Sequence, residues 1–410
     1  LIMSLNSNGD ALIYYPRNII TKQSMPDMDK LPKNKTILQW TAVMMVLNLL
    51  LPCHSQAGEG PVGDAPDKFG DLWDIPHIYS DSNAFWITDL KLVGRYQWQN
   101  ADVDSEQGNY SSHESRRFRI GTEAKILGGD WKLKAEISIN DEFSPFYDYI
   151  TDAYIKYQGN PAFNLTIGKH RPIWSYEMAT SSRKILTLER SLLVNQVSPK
   201  KSTGISARGE IDNWSYVLGL FSGDIDDELG NLDDVSGFSL ASIGYDYSEK
   251  TRFEQMAWRL DWAHNNDAAN NAAKPYRDSF SLSHSLKQGV IGLHTDFIHA
   301  SGYSDDAYGI ILLPTYDISD KLQLVARYTR ATGDNDNLKV QKRYENNVPH
   351  LTDNGLGENY QSFYLGLNYY INEHKLKLMS GVEYAEMEDA AGDGGDYNGW
   401  TVFSGLRFYF

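Results

Sequence analysis

The sequence predicts an all-β fold, a transmembrane antiparallel β-barrel of sixteen strands, and three observations carry that expectation. The first is period-two alternation over nearly all of the chain beyond residue 85, the pattern of a sheet with one apolar and one polar face. The second is connection length, because short and long linkers alternate along the chain, as they do in barrels that cross a membrane. The third is composition: 410 residues carry 26 Tyr, 33 Gly and a net charge of −16. With a negative mean hydropathy, this excludes a bundle of membrane helices, each of which needs about 20 mostly apolar residues.

The N-terminal part reads as a targeting segment. Lys30, Lys33 and Lys35 precede a largely apolar run, Ile37 to Leu51, followed by Ser55-Gln56-Ala57. Basic region, apolar core and small-x-small site in that order describe a secretory signal peptide over 25–57, cleaved after Ala57. Its natural start is Met25 or Met28, which leaves 1–24 as an over-extended reading frame, and 58–84 as a short periplasmic segment before the barrel (85–410). Cys53 falls inside the signal and is the one cysteine of the chain. The mature protein therefore has neither disulfides nor thiolate metal sites, and no cofactor is expected.

Strands are expected at 85–98, 116–127, 130–140, 148–158, 162–170, 202–211, 213–221, 237–247, 252–263, 278–287, 289–299, 307–318, 321–330, 359–371, 374–386 and 400–410. In the first, Trp86, Leu90, Leu92, Tyr96 and Trp98 share one face while Asp89, Lys91, Arg95 and Gln97 share the other. In the second, Phe118, Ile120 and Ile126 oppose Arg117, Arg119, Glu123 and Lys125. An even strand count suits a bacterial single-chain barrel. The linkers at 127–130, 159–162, 212–213, 248–251, 287–289, 319–321 and 372–374 are short. Those at 99–115, 171–201, 222–236, 264–277, 331–358 and 387–399 are long. A soluble sandwich has no reason to segregate loop length in this way. The last strand puts Trp400, Val402, Leu406, Phe408 and Phe410 on one face, which looks like the C-terminal signal that barrel-assembly machinery reads.

One segment breaks the alternation. "TSSRKILTLERSLL" (180–193) has Ile185, Leu188 and Leu192 at helical spacing among Arg183, Lys184, Glu189 and Arg190. It lies in the third long connection. A helix there is expected to fold into the barrel as a constriction, its apolar residues on the wall and its charges toward the lumen, with Glu189 clamping Arg183 or Arg190 by helical proximity.

The residues of 116–210 also resemble a known family. "RRFRIGTEAKILG" (116–128), "DAYIKYQG" (152–159), "LTIGKHRPIWSYE" (165–177) and 180–193 are similar to the conserved block of the phosphate-selective porin O and P family. That resemblance implies a sixteen-stranded barrel in the bacterial outer membrane, usually a homotrimer among lipid and lipopolysaccharide, passing small anions by diffusion. By position it implies pore or anion-binding roles for Arg117, Arg119 and Lys125 on the second strand and for Arg183, Lys184 and Arg190 in the third loop. Lys132, Lys134, Lys156, Lys169 and Arg208 are neighbouring lumenal candidates. Lysine and arginine in a lumen can replace water around an oxyanion through charge-assisted hydrogen bonds.

Charge is unevenly spread. Residues 85–211 hold 17 Lys+Arg against 15 Asp+Glu, whereas 212–410 hold 15 against 30. Acidic stretches such as 223–234 and 386–396 fall in long linkers and would repel anions at the mouth, which keeps a general or oligosaccharide-type porin open as the alternative. No Gly-x-Ser-x-Gly elbow or metal-type His spacing points to an enzyme, and no basic, aromatic-interleaved patch points to nucleic acid.

Overall fold

The computed structural model describes residues 3–5, 11–13, 73, 75–226, 228–230, 237–273, 275–389 and 395–410. The expected signal peptide, and most of 1–24 and 58–84, lie outside these residues. The chain divides into two units, Leu1–Pro66 and Asp67–Phe410. Of the first, the described part is a hairpin of β1 (Met3–Leu5) and β2 (Ala11–Ile13).

The second unit is a closed antiparallel β-barrel. A short strand, β3 (His77–Ser80), is followed by the staves β4 (Ile87–Ser105), β5 (Gly108–Ile126), β6 (Trp131–Ile139), β7 (Tyr147–Asn160) and β8 (Phe163–His170). After a long loop come β9 (Ser202–Ile211), β10 (Trp214–Phe221), β11 (Phe238–Asp246), β12 (Gln255–Asn265) and β13 (Tyr276–Gln288). Then follow β14 (Ile291–Ser319), β15 (Leu322–Gly333), the two-residue β16 (Leu338–Lys339) and β17 (Leu356–Gly357), and last β18 (Asn359–Asn372), β19 (Leu376–Glu388) and β20 (Tyr397–Tyr409). Each stave pairs with its sequence neighbour, apart from the small β16–β17 ribbon, and β20 pairs with β4 to close the ring.

The ring has sixteen passes because β14 makes two. Its 29 residues would span about 95 Å if straight, three times the hydrocarbon core. Instead residues 291–303 pair with β13 and 307–319 with β15, both antiparallel. The chain reverses at Gly302 and Tyr303, both at positive φ, and His299 Nε2 lies 3.3 Å from Asp306 Oδ2 across the reversal. The strand count expected from the sequence holds.

Three expectations need correction. Residues 99–115 are not a loop: β4 and β5 run on as 19-residue strands joined at Glu106-Gln107, because Ala101, Val103 and their neighbours keep alternating beyond the apolar band. The expected linker between 299 and 307 is likewise strand. Part of the segment before residue 85 is sheet, since β3 lies on the β4 edge where β20 ends. There Gly94 and Phe410 exchange backbone hydrogen bonds at 3.2 Å each. A Cβ on Gly94 would come within 2.5 Å of the Phe410 ring, so the closing aromatic lies on bare backbone.

The outer face is apolar and carries paired aromatics, among them Trp131–Tyr157, Trp214–Tyr245 and Tyr384–Trp400 with centroids 4.7 to 5.3 Å apart. Rings at the ends of an apolar band anchor a barrel at the membrane–water interface. The staves joined by five of the expected long linkers, 171–201, 222–236, 264–277, 331–358 and 387–399, meet those linkers at one rim of the barrel.

Candidate functional site

The third loop (171–201) crosses the ring interior. The expected helix over 180–193 forms only at its last two residues: 180–191 are turns and bends between α1 (Tyr176–Ala179) and α2 (Leu192–Val197). The reason lies in where the loop's carbonyls go. Ser181 O bonds the amide of Ile185 at 3.1 Å, but from Ile185 onward four carbonyls accept instead from inward side chains of four neighbouring staves. Lys377 Nζ donates to Ile185 O at 2.6 Å, Asn368 Nδ2 to Leu186 O at 2.9 Å, Arg407 Nη2 to Leu188 O at 2.9 Å and Arg327 Nη1 to Glu189 O at 2.8 Å. The polar serines and threonine at 180–182 favour turns for the same reason, side chains competing with helix backbone bonds.

The apolar anchors behave as expected, since Ile185, Leu188 and Leu192 are all buried. The wall is notched to take them: Leu188 Cδ2 sits 2.6 Å from where a Cβ on Gly405 would be, and Leu193 Cδ2 sits 2.9 Å from that of Gly309. At the loop's start, Asp261 Oδ2 accepts from Ser175 N at 2.9 Å and Asp296 Oδ2 from Tyr176 N at 3.0 Å. Two wall carboxylates thus satisfy amides at the N-terminus of α1.

Opposite them, β4–β7 present cations. The strand β5 contains a bulge, because Gln97 faces Arg117 while Trp98 faces Ser115, leaving Arg116 as the extra residue. A bulge re-aims side chains, so Arg116 turns inward beside Arg117. Arg116 clamps Glu189 with two bonds, at 2.6 and 3.2 Å. Arg117 donates to Gln97 Oε1 at 2.9 Å. The buried carboxylate of Glu136 gathers Arg95 at 3.0 Å, Lys134 at 3.3 Å, Arg183 at 3.6 Å and Arg119 at 3.7 Å. Asp152 takes Lys134 at 2.9 Å and also pairs with Lys201.

With Arg171 and Arg190 beside them, nine cations (Arg95, Arg116, Arg117, Arg119, Lys134, Arg171, Arg183, Arg190, Lys201) lie among five carboxylates (Glu114, Glu136, Asp152, Glu177, Glu189). Burial alone raises the Glu189 carboxyl, but the Arg116 guanidinium outweighs it and holds it well below the usual carboxylate range. Burial, and next the adjacent Arg171, push Arg190 down to about 10. Like charges so confined favour an entering anion.

The residues named from the sequence divide. Arg117, Arg119 and Arg183 belong to this cluster. Arg190 lies beside it, but its Nε and Nη2 serve the carbonyls of Glu177 and Thr180 at 2.8 and 2.9 Å. Lys184 is exposed in the turn, and Lys125 is exposed near the short-turn end, away from the cluster. Glu189 clamps Arg116 rather than Arg183 or Arg190. Sequence alternation placed Arg116 on the lipid face; the run of two arginines before "FR" was the available signal. Arg95, Arg327, Lys377 and Arg407 were also missed as loop holders.

A second loop covers the first. Residues 334–358 reach in so that Tyr344 donates to Glu114 at 2.6 Å, Gln341 Nε2 to Arg190 O at 2.9 Å, and Lys339 N to Gln196 Oε1 at 3.0 Å. Its Glu345 is buried, accepting from Tyr360 at 3.2 Å.

A sixteen-pass barrel with outward aromatic pairs and a lumen narrowed by inward loops has the architecture of an outer-membrane channel. The chain belongs to the phosphate-selective porin O and P family, whose profile matches residues 90–311, just over half of its length. Among solved structures it is similar to OprB of Pseudomonas putida at high pH (11% identity, 78% of this chain and 94% of that chain, TM-score 0.57). It is also similar to Salmonella typhi OmpF in complex with daunomycin (12% identity, 82% and 100%, TM-score 0.55). A third is the outer membrane channel DcaP of Acinetobacter baumannii (13% identity, 78% and 97%, TM-score 0.50). At such identities the likeness is one of fold. No curated protein matches the chain.

Proposed function

We propose that the protein lets small anions, phosphate and polyphosphate-like ions among them, diffuse passively across the outer membrane. The excess of nine cations over five carboxylates where the third loop crosses the lumen supports this reading. Arg95, Arg116, Arg119 and Arg183 pair with carboxylates, whereas Arg117, Arg171 and Arg190 bond neutral acceptors, so an incoming oxyanion exchanges one set of partners for another. Sharing among several sites keeps binding weak enough for exit.

The family adds expectations about assembly: a homotrimer, lipopolysaccharide around the wall, and recognition of the strand ending at Phe410 by barrel-assembly machinery. Processing is expected to remove residues up to Ala57, so N-terminal sequencing of protein from outer membranes should begin at Gly58. The function is tested in planar bilayers. Phosphate should reduce the chloride current saturably, and replacing Arg117 and Arg119 together with Ala should weaken that block. An undiminished block in the Ala pair would remove these arginines from the anion path.

A further inference from the structure

Between the third loop and the wall of β9–β13, toward the short turns, lies a cavity of about 620 Å³, within the range of small-molecule sites. It exists because the wall turns small side chains inward there. Ser215, Ser283 and Ser285 line it, with Tyr176 and Thr180 from the loop and Arg259 from β12.

The chemistry of this lining differs from that of the basic cluster. Ser283 donates its hydroxyl to Asp296, Thr180 donates to Tyr176 O at 2.8 Å, and Ser285 Oγ pairs with His294 Nδ1 at 2.9 Å, so these hydroxyls are fixed in place and offer lone pairs as acceptors. The Tyr176 ring is fixed, stacked on His294 with centroids 3.8 Å apart and planes at 15°, while its amide is held by Asp296. Arg259 is oriented by Asp261 at 2.9 Å and by Ser175 O at 2.7 Å. Glu210, Asp212, Asp246 and Glu249 also line the cavity, so four carboxylates face one guanidinium and an anion is disfavoured. Nor do these carboxylates converge on a cation: among the described residues, the one carboxylate trio close enough to share an ion is Asp336, Glu358 and Asp389. They remain separate acceptors around a space lined by hydroxyls, with Tyr176 as the aromatic wall on the loop side.

We propose that this cavity binds an uncharged, polyhydroxylated solute of the mono- or oligosaccharide class, independently of the anion cluster. Sugar hydroxyls would meet the carboxylates, serines and Arg259, and the sugar's C–H face would lie on Tyr176.

The test uses the refolded full-length barrel in planar bilayers, with maltotriose as probe and spermidine as the cationic control. Maltotriose should reduce the current saturably. Tyr176→Ala should raise its half-blocking concentration by roughly fivefold or more, as should the Ser283→Ala/Ser285→Ala pair, while Tyr176→Phe stays near the original protein. Phosphate block should be the same in Tyr176→Ala. No saturable block by maltotriose, equal block in both Ala variants, or block by spermidine alone through these residues would overturn the proposal. Loss of phosphate block with maltotriose block intact would sink the anion reading and leave this site standing.

Discussion

Arg116 owes its place in the lumen to one extra residue in β5. Strict alternation sends it to lipid, where an arginine at the midplane costs about 2–4 kcal/mol; the bulge opposite Gln97 turns it onto Glu189 instead. Nothing in a period of two announces a bulge, so the neighbouring Arg117 and Arg119 were legible and Arg116 was not. Because Glu189 is nearly enclosed, Arg116→Ala should cost about 3–5 kcal/mol by leaving a buried carboxylate without its cation. Urea titration of the refolded barrel reads this, and Arg116→Ala/Glu189→Gln should recover part of the loss. Gly405 is a residue of the same kind, invisible in the sequence because its importance is the side chain it lacks. Gly405→Ala should cost about 1–3 kcal/mol by crowding Leu188. In a double-mutant cycle with Leu188→Ala the two changes should be clearly non-additive. Additive losses would mean that Leu188 does not seat in the notch.

Among elements, the third loop shows how far a pattern reaches. Ile185, Leu188 and Leu192 were correctly read as anchors, since apolar burial follows from composition. The helix begins only at Leu192, because the fate of the preceding carbonyls depends on Asn368, Lys377 and Arg407, some 180 residues or more further on. Lys377→Met with Arg407→Met should free the carbonyls of Ile185 and Leu188 and loosen the crossing, seen as added open-channel noise with ion preference shifted away from anions. Quiet channels identical to the original would show that the loop stands without these donors.

The covering loop carries a pH dependence. Burial, and next the nearby Glu383, push Glu345 from 4.5 up to about 8; Arg327 acts in the opposite direction, and Tyr360 bonds the carboxyl. The docked loop therefore holds a proton that the released loop gives up above about pH 4.5. Docking weakens as pH rises from there and has lost this contribution above about 8. Protease cleavage within 334–358 should accelerate over that window, and Glu345→Gln should flatten the profile.

At the scale of the whole molecule, alternation and linker length were enough to give sixteen passes, because register in a barrel is set by which face meets lipid. They failed where alternation continues past the membrane, at 99–115 and across Gly302-Tyr303, since period-two patterning does not say where a wall stops. The charge count over 85–211 gave a net of only +2, and it hid the site: acidic residues such as Asp141 and Glu142 lie exposed in a loop, while the cations converge on the third loop. Folding concentrates what the sequence spreads out.

The reversal potential of the open channel in a potassium chloride gradient tests that concentration most directly. At low salt it should have the sign of anion preference. Replacing Arg117 and Arg119 together with Glu should shift it toward cations, and the shift should be smaller near 1 M salt, where screening shortens the reach of charge to roughly 3 Å. Cation preference in the original protein, or a reversal potential unmoved by the Glu pair, would contradict it.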